Sequence, residues 1–357
     1  MFRFVRRKTQ VAHALLLSVV LMAVALATMV PASARFSDAF DAYLAENYEA
    51  ARLAALPDAE RGNPAAQWLL GTIYLLGQGV SEDAGQARVW LEKSASANYP
   101  PAQAVLGRMF EEGIGGEQDA AEAHILYRLS AEQGYTDAAY LLGRQFYFGE
   151  GTRADGPAAL KWLTVAADDG NADAQYLGAK ILLTNEIVTA NPERAAAWLT
   201  QAAGNGHPQA QLLLGNTLIT GLAGSYDPDA GQEWIRKAAV TGLADAELRY
   251  GDVFHNGING RPDHQEAVRW WTKAAEKHDP RAQLRLARAY ARGQGVVRDY
   301  QQGFILASLA MMQNLDEAAE LRDDLMSRLR PDEIKQAEQM INRLIRPPSQ
   351  TNGSGQS

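Results

Sequence analysis

The stretch Ala66-Gln67-Trp68-Leu69-Leu70-Gly71-Thr72-Ile73-Tyr74, continued by Gly77-Gln78-Gly79-Val80, Asp83, Ala87, Trp90-Leu91 and Ala95, decides the fold, because the chain repeats it. Alanine returns every 36 residues at Ala66, Ala102, Ala138, Ala174, Ala210, Ala246 and Ala282, without slippage. A fixed period of this length marks a stack of one supersecondary unit. Other columns keep the register: Gly71, Gly107, Gly143, Ala179, Gly215, Gly251 and Ala287, then Tyr74, Phe110, Phe146, Leu182, Leu218, Phe254 and Tyr290. A turn column (Gly77, Gly113, Gly149, Asn185, Gly221, Gly257, Gly293) and a capping column (Asp83, Asp119, Asp155, Asn191, Asp227, Asp263, Asp299) follow. A bulky column closes the unit at Trp90, Leu126, Trp162, Trp198, Trp234, Trp270 and Leu306. Five of the seven tryptophans fall there, which assigns them to packing.

Each unit reads as two helices. Ala66, Leu70 and Tyr74 are spaced by four, which puts them on one helical stripe. Glycine inside a helix costs about 1 kcal/mol relative to alanine, so its recurrence beside that stripe calls for close helix contact. The aspartate column suits an N-cap, and Gln86, Glu122, Glu266 and Gln302 stand three residues later, the spacing of a capping box. Pro192 and Pro228 fit the first helical position, where a missing N–H does no harm. The second helix buries Ala87, Trp90, Leu91, Ser94 and Ala95 on one stripe. Strand-like alternation is absent from the sequence. The expected fold is all-α, an α/α superhelical solenoid of seven 36-residue helix-turn-helix units with a helical C-terminal cap.

The ends depart from the period. Residues 1–34 have a basic start (Arg3 to Lys8), an apolar run from Ala14 to Val30, and the small-residue site Ala32-Ser33-Ala34, the three-part pattern of a secretory signal peptide. Cleavage after Ala34 places the mature chain in the periplasm or outside the cell. The apolar run of about 17 residues also approaches the length that spans a bilayer, so an uncleaved inner-membrane anchor facing the periplasm is the alternative. Residues 35–62 form a partial unit, because Ala51 and Ala59 precede Ala87 and Ala95 by 36. The seven units fill residues 63–314. Residues 315–346 read as two capping helices carrying Leu321, Leu325 and Leu329 among charges, and residues 347–357 as a disordered tail.

Composition narrows the function. The net charge is −8, and the chain beyond residue 34 carries 30 bases against 42 acids. An acidic chain makes a poor general nucleic-acid binder. Cysteine is absent, which excludes disulfides, thiolate metal sites and a cysteine nucleophile. The Gly-x-Gly turns lack the lysine of a phosphate loop, and neither a Ser-x-x-Lys nor a His-Glu-x-x-His motif occurs.

The unit Ala-Gln-x-x-Leu-Gly-x-x-Tyr, Gly-x-Gly-Val, Asp, Ala-x-x-Trp-Leu-x-x-x-Ala resembles the Sel1-like repeat, a relative of the tetratricopeptide repeat with a longer inter-helix loop. The resemblance runs from about Ala51 to Asn314 and departs in the fourth copy, where Asn185 and Ile187 replace loop glycines. It implies an adaptor for protein–protein contacts, similar to exported bacterial regulators and assembly factors of the cell envelope. A cysteine-rich branch linked to β-lactam chemistry is also part of that family; its paired cysteines are missing here.

One variable column carries charge. Thr72, Arg108, Arg144, Lys180, Asn216, Asp252 and Arg288 follow the glycine column, and Arg249, Arg285 and Arg292 lie within a turn of it. In related solenoids the first helices line the concave side. On that arrangement Arg108, Arg144, Lys180, Arg249, Arg285 and Arg288 form a cationic ladder suited to the carboxylates of an acidic protein or peptide partner. Tyr140 and Tyr147 add aromatic anchors to this groove or belong to the core. His255, Asp263, His264 and Glu266 meet around the sixth loop, but Asp263 and Glu266 are already assigned to a cap, so no metal and no cofactor is expected. The expectation is therefore a non-enzymatic scaffold of the cell envelope, without nucleic acid and touching a membrane only through an uncleaved N-terminal segment. The alternatives are an envelope hydrolase acting on cell-wall or β-lactam substrates, and a carbohydrate-binding accessory of polysaccharide export with Tyr140 and Tyr147 stacking on sugars.

Overall fold

The computed structural model describes residues 34–184, 190–222, 225–257 and 260–345. The expected export segment, the fourth-copy turn at Asn185 and Ile187, and the expected C-terminal tail lie outside the described residues. All regular structure among the described residues is helical, and the chain divides into two compact units, residues 1–189 and 190–357.

The first unit contains α1 (Ala34–Leu44), α2 (Tyr48–Glu60), α3 (Pro64–Leu76), α4 (Ala84–Ser96), α5 (Pro100–Glu112), α6 (Ala120–Glu132), α7 (Thr136–Phe148), α8 (Gly156–Asp168) and α9 (Ala172–Leu183). The second contains α10 (Pro192–Gly204), α11 (Pro208–Thr220), α12 (Pro228–Val240), α13 (Ala244–Asn256), α14 (His264–Glu276), α15 (Pro280–Arg292), α16 (Tyr300–Met312), α17 (Glu317–Ser327) and α18 (Pro331–Ile345). Consecutive helices pack on one another, so each unit is a stack of antiparallel hairpins. Among the described residues no helix is long and apolar enough to cross a membrane.

The glycine column explains how a hairpin closes. A methyl group on Gly71 would lie 2.6 Å from the Leu91 side chain, and on Gly251 2.5 Å from the Trp271 ring. Gly215 and Gly231 face each other across α11 and α12, each 2.6–2.7 Å from the other's carbonyl oxygen as measured from a built Cβ. The small residues thus serve the crossing of two helices within one hairpin. The bulky residues that fill this crossing are Leu91, Tyr127, Leu163, Ile235 and Trp271, all buried.

This shifts the tryptophan column outward. Trp198 is buried, whereas Trp90, Trp162, Trp234 and Trp270 are only partly so. Each of the five carries a cation over its ring: Lys93 at 4.3 Å, Lys161 at 4.9 Å, Arg194 at 4.5 Å, Lys237 at 4.0 Å and Lys273 at 3.6 Å from the centroid. Such contacts contribute roughly 0.5–1 kcal/mol each at exposed sites.

Three hydrogen bonds recur with the period. Ser94 Oγ donates to Pro64 O at 2.6 Å and Ser130 Oγ to Pro100 O at 2.7 Å, tying the second helix to the start of the first. Gln67, Gln175 and Gln211 each donate from Nε2 to a carbonyl in the last turn of the preceding second helix, at 3.0, 3.0 and 3.1 Å. The aspartate column caps as expected, with Asp83 Oδ1 accepting from Gln86 N at 2.9 Å. The reciprocal half of the capping box is displaced, because the Asp83 N–H donates instead to Tyr74 O at 3.0 Å. Asp119, Asp155, Asp227, Asp263 and Asp299 repeat that bond to the aromatic or leucine column, which pins each inter-helix loop. The first helix ends on a left-handed glycine, as at Gly77 with φ 64°. The fourth instead ends at Leu183, with Thr184 extended.

Modified hairpins close the stacks. At one end Phe36, Phe40 and Tyr43 of α1 join the core. At the other, Leu325, Ala337 and Ile341 of α17 and α18 bury Phe304 and Ile305 of α16.

Gly215→Ala should lower stability by about 1–3 kcal/mol through overpacking, despite the better helix propensity of alanine. Gly204→Ala, where a Cβ would meet nothing within 4 Å, should be neutral or stabilising by up to about 1 kcal/mol. Chemical denaturation of both variants checks the opposite signs.

Candidate functional site

The first helices of adjacent repeats reach each other through side chains 33 residues apart. The pairs are Arg144 with Glu111, Lys180 with Tyr147, Arg249 with Asn216 and Arg285 with Asp252. A 36-residue period with contacts at 33 means that neighbouring first helices run parallel, offset by just under one turn. The charged column therefore lies on the face where first helices meet.

In the first unit the two arginines on this face are engaged by acids of the same face. Arg144 Nη2 donates to Glu111 Oε2 at 2.5 Å, and Arg108 Nε donates to Glu112 Oε1 at 2.9 Å. Glu111 also accepts from Tyr127 Oη at 3.2 Å and from Gln145 Nε2 at 3.2 Å, while Gln145 Oε1 meets His124 Nδ1 at 3.1 Å. Burial works against the Arg144 charge, but the hydrogen bond and charge of Glu111 outweigh it and hold the guanidinium pKa above its ordinary value. Burial lowers the His124 pKa, opposed by the Gln145 hydrogen bond. Tyr140 is half-buried, and burial, assisted by Asp173, pushes its hydroxyl up to about 12. Tyr147 is also half-buried, edge-on to the exposed Phe148 with centroids 4.8 Å apart, and Lys180 stands 6.0 Å above it.

The second unit holds Arg249, Arg285 and Arg288 beside two cavities that share Asp252 and Arg285. The larger, of about 500 Å³, is floored by Leu212, Leu248 and Leu284, one column at the 36-residue period, with Leu315 beyond. Its walls alternate in charge: Arg249, Arg281 and Arg285 against Asp245, Asp252 and Glu317. Arg285 grips Asp252 with both arms, Nε to Oδ1 at 3.0 Å and Nη2 to Oδ2 at 3.4 Å. Arg281 pairs with Asp279 at 2.6 Å and with Asp245, contacts that hold its pKa up. Arg249 Nε donates to Asn216 Oδ1 at 2.6 Å.

Sequence reasoning assigned the leucine column to no site. In the first unit the same position holds Trp68, Ala104, Tyr140 and Tyr176, aromatic in three of the four. The fixed period alone could have found it. Around the sixth loop, Asp263 Oδ1 caps Glu266 N at 2.9 Å and Glu266 pairs with Arg269 at 2.7 Å. Among the described residues no group of three histidine, aspartate or glutamate side chains is placed to hold a metal ion.

The family model for the Sel1 repeat matches residues 64–99, 100–135, 136–171, 172–207, 208–239, 244–279 and 280–315, and the chain belongs to that family. It is similar to the solved structure of c5321, a protective antigen present in uropathogenic Escherichia coli strains and displaying an SLR fold. That likeness has 32% identity and a TM-score of 0.80, covering 87% of this chain and 68% of that one. It is also similar to a Sel1 repeat protein from Oxalobacter formigenes, with 28% identity and a TM-score of 0.61, covering 68% of this chain and 97% of that one. No curated protein matches the chain. Sel1 repeat proteins generally mediate protein–protein interaction, and the family is generally non-catalytic.

Glu111→Ala should cost about 1.5–3 kcal/mol, because it strands the half-buried Arg144 and the Tyr127 hydroxyl. Glu112→Ala, which removes an exposed carboxylate from Arg108, should change stability by less than about 1 kcal/mol. Urea unfolding of the two variants separates a structural rung from a surface pair.

Proposed function

We propose that this chain is an exported, non-enzymatic scaffold of the bacterial cell envelope that holds an extended or helical segment of a protein partner against its first-helix face. The observation that carries this reading is the leucine-floored trough of the second unit. Three leucines one period apart give a segment an apolar track, and the alternating arginine and aspartate walls fix its register by charge. An apolar centre with a polar rim is the build of a protein-recognition surface.

Pre-formed ion pairs along the walls favour an acidic segment. The Arg285 fork is already oriented by Asp252, so a partner carboxylate meets a guanidinium that loses little further freedom on binding. Arg108, Arg144 and Lys180, with Tyr140 and Tyr147, line the same face of the first unit and serve the same task there. The pattern of residues 1–34 supports export, which sets the partner in the envelope.

A photocrosslinking amino acid at Leu212 or Arg249, in the full chain expressed in its native host, should give one discrete adduct. The same probe at Val240, exposed on the second helix α12, should give none. Equal yields from both faces would remove the first-helix assignment. N-terminal sequencing of chain recovered from the envelope should begin at Arg35; a start at Met1 would favour the anchored form.

A further inference from the structure

The smaller cavity of the second unit, about 260 Å³, has a charge balance unlike the rest of the molecule. It lies at the C-terminal ends of α13 and α15, walled by Trp271 of α14. Three guanidiniums, Arg285, Arg288 and Arg292, line it with a single carboxylate, Asp252. That carboxylate is fully used: Arg285 holds both its oxygens, and Trp271 Nε1 donates to Oδ1 at 3.1 Å.

Two cations are left over. The nearest acid to Arg288 is Glu317, at 4.0 Å and 74% exposed, a contact that solvent screens. Arg292 makes no hydrogen bond or ion pair among the described residues. Neither is needed to cap a helix. At the end of α15 the Ala289 carbonyl accepts from the N–H groups of Gly293 and Gln294 and the Tyr290 carbonyl from Asp299 N–H, and Gly257 N–H closes the end of α13. An acidic chain thus keeps two uncommitted guanidiniums one helical turn apart at the mouth of a cavity.

His255 lines the same cavity, and its Nδ1 is buried without a hydrogen-bond partner. Its ring packs 5.2 Å from Trp271 and 4.9 Å from His264, whose Nδ1 is likewise buried and unpaired. The groups around it are Asp252 on α13, His264 on α14, and Arg285 and Arg292 on α15. Burial lowers its pKa, as do His264, Arg285 and Arg292, with Asp252 opposing. These protein groups together favour neutral imidazole. A bound anion reverses that balance, because it adds a negative charge beside a ring that faces mostly cations.

We propose that this cavity anchors a carboxylate of the bound partner segment between Arg288 and Arg292, and that His255 takes up a proton from solvent as the carboxylate enters. The imidazolium then carries a hydrogen on both nitrogens and supplies the third positive group around the anion. Capture becomes linked to pH: affinity rises on acidification, by at most about tenfold per pH unit for one proton, while the carboxylate stays ionised. Trp271 and Ala289 give the cavity an apolar wall, which suits a carboxylate on a hydrocarbon stem better than a free inorganic anion. The assignment rests on the reading that this face binds protein, since the cavity opens beside the leucine trough.

The test is titration calorimetry of the full chain in two buffers of different ionisation enthalpy. Three probes are compared: an acetylated, amidated peptide bearing one internal glutamate, its glutamine counterpart, and a peptide whose only carboxylate is its C-terminus. Inorganic phosphate serves as a fourth. Either carboxylate source should bind with net proton uptake, the glutamine peptide should bind at least about tenfold more weakly, and the glutamate and C-terminal arms tell the two sources apart. Arg288→Gln with Arg292→Gln should weaken carboxylate binding about tenfold or more without changing thermal unfolding. His255→Gln should abolish the proton uptake while leaving carboxylate binding at high pH. Proton uptake unchanged in His255→Gln, phosphate binding tighter than either carboxylate peptide, or no binding of any carboxylate at millimolar concentration would each overturn the proposal. A crosslinked partner at Leu212 with a cavity blind to carboxylates would sink the anion site and leave the scaffold reading standing; loss of both would remove the scaffold reading as well.

Discussion

Two helices crossing at a glycine set the geometry of every hairpin that has one, and the surface of the protein follows from that crossing. Where Gly215 faces Gly231, backbones approach until a Cβ on either would meet a carbonyl oxygen. Elsewhere the glycine receives one large side chain, Leu91, Tyr127, Leu163 or Trp271, as a knob in a socket. The helical penalty of glycine, about 1 kcal/mol, is accepted because close contact and burial of a large side chain return more. With the hairpin closed this tightly, serine and glutamine can bridge to carbonyls of the neighbouring helix at the same place in successive repeats. The spacing of successive first helices then becomes uniform enough for side chains 33 residues apart to form rungs.

Much of this was legible in the residues themselves. The fixed period, the left-handed glycines and the aspartate caps mark helix ends, because each is a local backbone requirement that leaves a local signature. The glycine column announced a close contact. Its partner in the same hairpin, by contrast, depends on the rotation of each helix. The capping box was over-read for a related reason: the aspartate N–H finds the carbonyl of Tyr74 or its equivalents, and nothing at a three-residue spacing reveals that competitor. The period assigns the tryptophan column to packing, while the adjacent residue, often smaller, occupies the crossing.

The candidate site was half legible. Arg144 and Arg285 stand in the cationic ladder that the sequence marks, but their acidic partners Glu111 and Asp252 lie along a diagonal set by the offset between parallel helices. Asp252 stands in the same variable column as its one acid, and it orients Arg285. The leucine floor was invisible for the opposite reason, since leucine at a helical spacing reads as core until a cavity opens above it. The boundary between the two compact units, between Thr189 and Ala190, falls in the fourth copy, the one in which Asn185 and Ile187 replace loop glycines.

The cations stacked over Trp90, Trp162, Trp198, Trp234 and Trp270 have an effect beyond their own contact energy. An indole left bare on an outer surface is sticky, and a row of them one period apart would invite other chains to adhere. Draping each ring with a lysine or arginine stem places a hydrated charge where an intruding apolar group would otherwise settle. Each of these positions is thereby kept wettable.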